Sequence, residues 1–234
     1  MQRIFIVVII VFFAGAVFGQ DTINRTDNEG RKQGFWRKAD SAGQKIYEGN
    51  FVAGIPTGEF RYFYSNGSLK TSSIMTRQGK HAVTVSYFPN GKKMAAGNYL
   101  NEKKDSLWQF FNDITGSLIS EEYYKEGKIE GKSRVFYLEG SVSELKYYKN
   151  GIPDGIWEQY YTDGKIKLRG SHIAGEKQGL FKTFSLSGRV MVSGQYSSGL
   201  QDGIWTYFDD EGAVVKKEFY RNGMLLKTEA PPKK

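Results

Sequence analysis

A glycine-punctuated unit recurs along this chain at a nearly constant period. It opens at Gly30, Gly54, Gly79, Glu102, Gly127, Gly151, Gly175 and Gly199, and a further opening falls at Gly223. The differences between successive opening numbers are 24, 25, 23, 25, 24, 24, 24 and 24. A period in this range marks units that cannot bury an apolar face alone and do so by stacking on their neighbours. Four residues after the opening comes a second glycine, at Gly34, Gly58, Gly131, Gly155, Gly179 and Gly203, with Val83 and Ser106 in the other two copies. Two residues further sits a large apolar group: Trp36, Phe60, Val85, Trp108, Trp157, Phe181 and Trp205, with Ser133 the exception. Three beyond that is another, Phe63, Phe88, Phe111, Phe136, Tyr160, Phe184 and Phe208, with Ala39 the exception. The unit closes on an aromatic, Phe51, Tyr99, Tyr124, Tyr148, Tyr196 or Tyr220, which Thr76 and His172 replace in two copies.

This pattern spells hairpins. Asn66-Gly67, Asn90-Gly91 and Asp163-Gly164 are preferred pairs for two-residue type I′ turns, whose central residues both need positive φ. The flanking runs are rich in Tyr, Phe, Trp, Val, Ile and Thr, which suit a pleated surface. No stretch holds a helical period between breakers. A lone hairpin is marginal in water, so stability must come from each copy packing on the next. The expected fold is all-β: an elongated antiparallel sheet of about eight stacked 24-residue hairpins. Trp36, Trp108, Trp157 and Trp205 are its expected structural rings. Trp157, Phe181 and Trp205 should form a continuous stack.

The string Gly-x-x-x-Gly-x-Trp-x-x-Tyr/Phe-x-x-x-Gly with a Tyr-x-x-Gly close resembles the MORN-repeat variant. Bacterial chains that carry it often bear the label YwqK-family antitoxin-like protein. The resemblance spans residues 30–223. It implies a sheet of hairpins with a binding or scaffolding role, and it implies no catalytic residue.

The ends add a destination. Met1-Gln-Arg3 is a short basic start, and Ile4–Phe18 is an unbroken apolar run before Gly19-Gln20. This reads as a secretory signal peptide over 1–19; the run is short of the roughly 20 apolar residues that a spanning helix needs. The expectation is export to the periplasm, outer envelope or medium. Residues 20–29 read as a flexible leader without strands, 30–223 as the array, and 224–234 as edge residues and a polar tail. There is no cysteine, so the repeats must supply stability without disulfides. Net charge is +8, which favours an acidic partner surface and is compatible with contact at a membrane surface. Solvated lysines on strand faces explain the same charge, and export argues against nucleic acid.

No motif for catalysis stands out. His172 sits where other copies have a closing tyrosine, and His81 lies in the irregular third copy. Asp154 and Asp202 recur as turn residues. No metal or cofactor is expected, because cysteine is absent and no histidine pair has ligand spacing. The aromatic rows are the one candidate binding surface. Tyr62, Tyr87, Phe110 and Tyr207 lie two residues along from the structural rings, where other copies carry Lys38, Gln159 and Thr183. A position that accepts lysine and glutamine is free of core duty. The expected function is therefore a non-enzymatic scaffold that binds a protein or envelope component. The alternative is a carbohydrate- or lipid-binding module, with choline-like cations among the ligands that such rings suit.

Overall fold

The computed structural model describes residues 22–230. The expected signal segment, 1–19, and the last four residues lie outside that range. Nineteen strands, from Arg25–Thr26 to Met224–Glu229, form one antiparallel sheet. Each strand pairs with its neighbour in the chain; Glu176–Lys177 and Gly179–Phe184 are two pieces of one interrupted strand. Arg25–Thr26 pairs with Lys32 and Gln33, so a strand falls inside the stretch expected to be a strandless leader. The Trp36 indole fastens it by donating to the Arg25 carbonyl at 3.0 Å. Met224–Glu229 is an edge strand with a ladder on one side.

Two kinds of turn alternate, and the three dipeptides expected to make two-residue turns make the other kind. At Asn66-Gly67 only the glycine has positive φ, at 82°. The Gly67 N–H bonds to the Tyr64 carbonyl, and the Tyr64 N–H bonds to the Ser68 carbonyl. This is a three-residue loop, a type I turn followed by a left-handed glycine bulge. Gly91 and Gly164 repeat it. The two-residue turns with paired positive φ lie at the openings instead. Ala53 and Gly54 have φ of 49° and 80° between the paired residues Val52 and Ile55. Glu126-Gly127, Asn150-Gly151, Ala174-Gly175, Ser198-Gly199 and Asn222-Gly223 match it. In the fourth copy Asn101 and Glu102 hold the same shape, at 49° and 63°, with no glycine to relieve it.

The opening turns also stitch copy to copy. The opening glycine donates its N–H to the carbonyl two places after the previous opening, as in Gly151 to Ile129, Gly175 to Pro153 and Gly223 to Gln201, each at 2.8 Å. Glu130, Asp154, Gln178 and Asp202 accept from the N–H just before the next opening, at Asn150, Ala174, Ser198 and Asn222. Asp154 and Asp202 are thus acceptors for the following copy's turn. On the other edge, the Tyr64, Tyr137 and Tyr161 hydroxyls donate to the carbonyls of Tyr87, Tyr160 and Phe184 in the following copy, at 2.8, 2.7 and 2.7 Å.

The apolar core is one face of this sheet. Its buried apolar side chains are Phe51, Phe60, Ala82, Ala95, Trp108 and Trp205. Ring sits over glycine: a Cβ on Gly49, Gly97 or Gly194 would lie 2.6, 2.4 or 2.2 Å from Phe60, Trp108 or Trp205. Trp157, Phe181 and Trp205 form the expected stack, with centroids 6.3 and 5.5 Å apart. His172 takes a closing tyrosine's place, 5.3 Å from the Trp157 ring, and is buried with no partner on Nδ1. Burial, then the charges of Lys146 and Lys177, push its pKa down. The unfolded chain therefore takes up the proton first as pH falls. Stability is expected to be full above about pH 6.5, the ordinary histidine value, and to decline below it. His172→Tyr should flatten that decline. Urea midpoints at pH 7.5 and 5.5 check this, and equal pH sensitivity in both proteins would refute it.

Candidate functional site

The core row keeps the repeat period through Trp36, Phe60, Thr84 and Trp108, slips by a single position in the Asn112–Ser117 turn, and continues through Ser133, Trp157, Phe181 and Trp205. Thr84, not Val85, is the third copy's member. That copy lacks the second glycine, and its ladder runs unbroken from Thr76–His81 to Thr71–Ser86. In most other copies a register shift interrupts the corresponding ladder, as between Gly49 and Asn50 or between Lys146 and Tyr148. Losing the bulge moves every later residue of the strand by one and so to the other face. Val85 and Tyr87 therefore lie on the opposite face from Thr84 and Ser86. Tyr87, not Phe88, stands in line with Phe63 and Phe111.

Most of the aromatic face is already occupied by the protein itself. The Lys104 ammonium sits 4.7, 4.6 and 4.7 Å from the Trp108, Phe110 and Tyr124 centroids. Lys32 lies 4.7 Å from both Trp36 and Phe51, and Lys177 lies 5.4 and 5.0 Å from Trp157 and Tyr196. Burial pushes the Lys104 pKa down. These are cation–π arrangements filled from within by the protein's own lysines.

The four candidate binding rings fare differently. Phe110 is stacked on Trp108 at 6.2 Å and capped by Lys104. Tyr207 donates to Glu218 at 2.6 Å under Lys216, whose ammonium is 4.1 Å from its ring; burial, then that carboxylate, push its phenol pKa up. Tyr87 is on the other face. Tyr62 alone borders open space, 36% exposed and 6.0 Å from Tyr47. The structure does not bring the four together.

Tyr62 instead borders a trough of about 430 Å³ where copies two and three meet. Its floor is small: Ser73, Ala82 and Thr84 are all buried. Where other interfaces set a ring over a glycine, here Ser73 and Thr84 hydroxyls hydrogen-bond at 2.9 Å. Thr71 and Ser86 pair beside them at 3.3 Å. Met75, not Thr76, fills the closing aromatic position, opposite Ala82. Pro56, Tyr62 and Tyr99 border it, with Lys80 and Glu102 at one end. The other gap in the row, at Ser133, is closed by polar side chains. There Glu144 accepts from Trp157, Gln159 and Lys146 at 3.1, 3.0 and 3.0 Å. Burial raises that carboxyl's pKa, but these hydrogen bonds outweigh it and hold it below the usual value. Among the described residues no group of three or more His, Cys, Asp and Glu is placed to hold a metal.

Fold and face together define an all-β hairpin-repeat scaffold with one interrupted aromatic row. Residues 56–73, 153–173 and 201–222 match the family model of the MORN repeat variant. No curated protein matches the chain. Among solved structures it is similar to a mutant of S. aureus TarM in complex with fondaparinux, alpha-GlcNAc-glycerol and UDP, at 15% identity and a TM-score of 0.32 over 51% of this chain and 21% of that one. A second TarM structure gives 18% identity and a TM-score of 0.30 over 41% and 20%. A porin-like protein from Bacteroides uniformis gives 12% and 0.15 over 82% and 86%. The chain spans about a fifth of the TarM chains.

Proposed function

We propose that this chain is a non-enzymatic, exported repeat scaffold that holds a cell-envelope component, or a protein bearing one, in the trough between its second and third copies. The observation that carries this reading is the trough: elsewhere rings, lysines or the Glu144 network occupy the row, and the cavity beside Glu144 and Gln159 is smaller, at about 300 Å³. The residues that would have to do chemistry are otherwise engaged. Asp154 and Asp202 accept backbone N–H groups, His172 is packed on Trp157, and His81 Nδ1 is 2.8 Å from the Thr76 hydroxyl. The net charge of +8 would favour acidic surroundings without defining the site.

Export makes a mature amino terminus at or near Gln20 the expected result of intact-mass analysis on the natively expressed protein. Capture from solubilised envelope tests the binding. The wild type should retain a saturable component that Ser73→Gly/Thr84→Phe, which restores the repeat's own ring-over-glycine pair, does not. Equal retention by both proteins would defeat the proposal. An intact Met1 terminus on membrane-bound protein would defeat cleavage and support an uncleaved anchor.

A further inference from the structure

We infer that the trough takes a neutral saccharide segment. This rests on the scaffold reading above and names its ligand class. Ser73 and Thr84 are 5% and 3% exposed, and their hydroxyls have only each other as partners among the described residues. Each hydroxyl carries one proton and two lone pairs. A mutual pair uses one proton and leaves the second O–H without an acceptor. Both residues line the trough, so the second O–H is free to donate to an acceptor there. Thr71 and Ser86 add a second hydroxyl pair along the same floor.

Around this polar floor stand apolar and aromatic groups: Pro56, Met75, Tyr62 and Tyr99. A pyranose matches both at once, with C–H groups for a ring face and hydroxyls that donate and accept. Tyr62 keeps its ring accessible. Among the described residues, the charged ones lining the trough are Lys80 and Glu102, of opposite sign at one end. That balance favours a neutral ligand over a phosphate or an anionic headgroup. A volume of about 430 Å³ falls within the range of about 300–1,000 Å³ typical of small-ligand sites.

The test titrates the natively processed protein with maltohexaose, cellohexaose, xylohexaose and chitohexaose, read by calorimetry. Saturable binding of at least one is expected. Tyr62→Ala should raise its Kd at least tenfold, and Ser73→Gly/Thr84→Phe should abolish it. Tyr207→Ala, whose ring lies far along the array, should leave it unchanged. No binding of any of the four, or binding at full strength in either trough variant, overturns the inference. If the filled variant does not fold by circular dichroism, Tyr62→Ala still decides, because its ring is partly exposed. Envelope capture in parallel separates the two claims. Capture that needs the trough while no saccharide binds leaves the scaffold reading standing and sinks this one. Capture indifferent to filling sinks the scaffold reading.

Discussion

Gly194→Ala is expected to cost about 2–3 kcal/mol of stability, the upper part of the range for overpacking. The new Cβ would lie 2.2 Å from the Trp205 indole, a distance at which a ring or a strand must move. Neither moves easily. Trp205 is 3% exposed, stands edge-on to Tyr196 at 5.1 Å, and donates its indole N–H to the Gln195 carbonyl at 3.2 Å. Gly194 is in the ladder opposite Phe181, and its φ is not positive, so the cost comes from the ring and not from backbone strain. Gly170→Ala is the graded control: its Cβ would be 3.3 Å from Phe181, and it should cost under about 1 kcal/mol. Trp205→Ala should cost about 3–5 kcal/mol. Adding Gly194→Ala to it should cost almost nothing more, since the clash has gone with the ring. Urea melts of the four variants supply the numbers. Additive losses in the double variant would show that the glycine acts through something other than the ring above it.

That glycine marks the limit of what can be read in the chain itself. The period, the hairpins, the stack of Trp157, Phe181 and Trp205 and the edge strand at the end are legible because a short repeat samples the same environment eight times. The ladder glycines at 49, 97, 170 and 194 recur just as visibly, two residues before a closing position. Their role is hidden because it depends on which ring crosses the strand boundary, a tertiary fact. The turn types depart from expectation for a related reason: Asn-Gly is a strong I′ signal in isolation, but here the extra residue at the tip makes a bulged loop. Aligning copy three by its opening glycine places Val85 and Tyr87 on the wrong face. The long step from Gly54 to Gly79 and the short one from Gly79 to Glu102, together with Val83 in a glycine position, are the signal of the difference. They mark the lost bulge, whereas the small residue in the aromatic row and the space above it emerge only once the strand register is known. Of the candidate rings, Tyr62 lies at that space, whereas Phe110 and Tyr207 are engaged by lysines and a carboxylate that sequence spacing does not reveal.

Deleting Gly151–Ala174 should leave a folded protein with a lower urea midpoint, while deleting residues 151–162 should abolish cooperative folding of the chain. The longer deletion joins Asn150 to Gly175 and so rebuilds an Asn-Gly opening turn. Glu130 still accepts from the Asn150 N–H, at 2.7 Å in the intact chain. Gly175 takes over the bond that Gly151 made to the Ile129 carbonyl. Tyr137, which clips the carbonyl of Tyr160, meets that of Phe184 instead. What is lost is one unit and its interface: Trp157, its cation contacts with Lys146 and Lys177, and one ring of the stack. In an array held by neighbour contacts that loss is local, and the urea m-value should fall in proportion to the surface removed. The shorter deletion removes the strand Ile152–Tyr160 and reverses the direction of every strand after it. The downstream opening turns then lie on the edge opposite the upstream ones. Gly175 cannot reach Ile129, and the carboxylate and carbonyl acceptors of the fifth copy face tip loops that offer them no matching N–H. Two half-arrays would face each other with no shared stitches. Tryptophan fluorescence and far-ultraviolet circular dichroism followed through urea distinguish the outcomes. Comparable damage from the two deletions would mean that the repeating hairpin is not the unit in which this sheet is built.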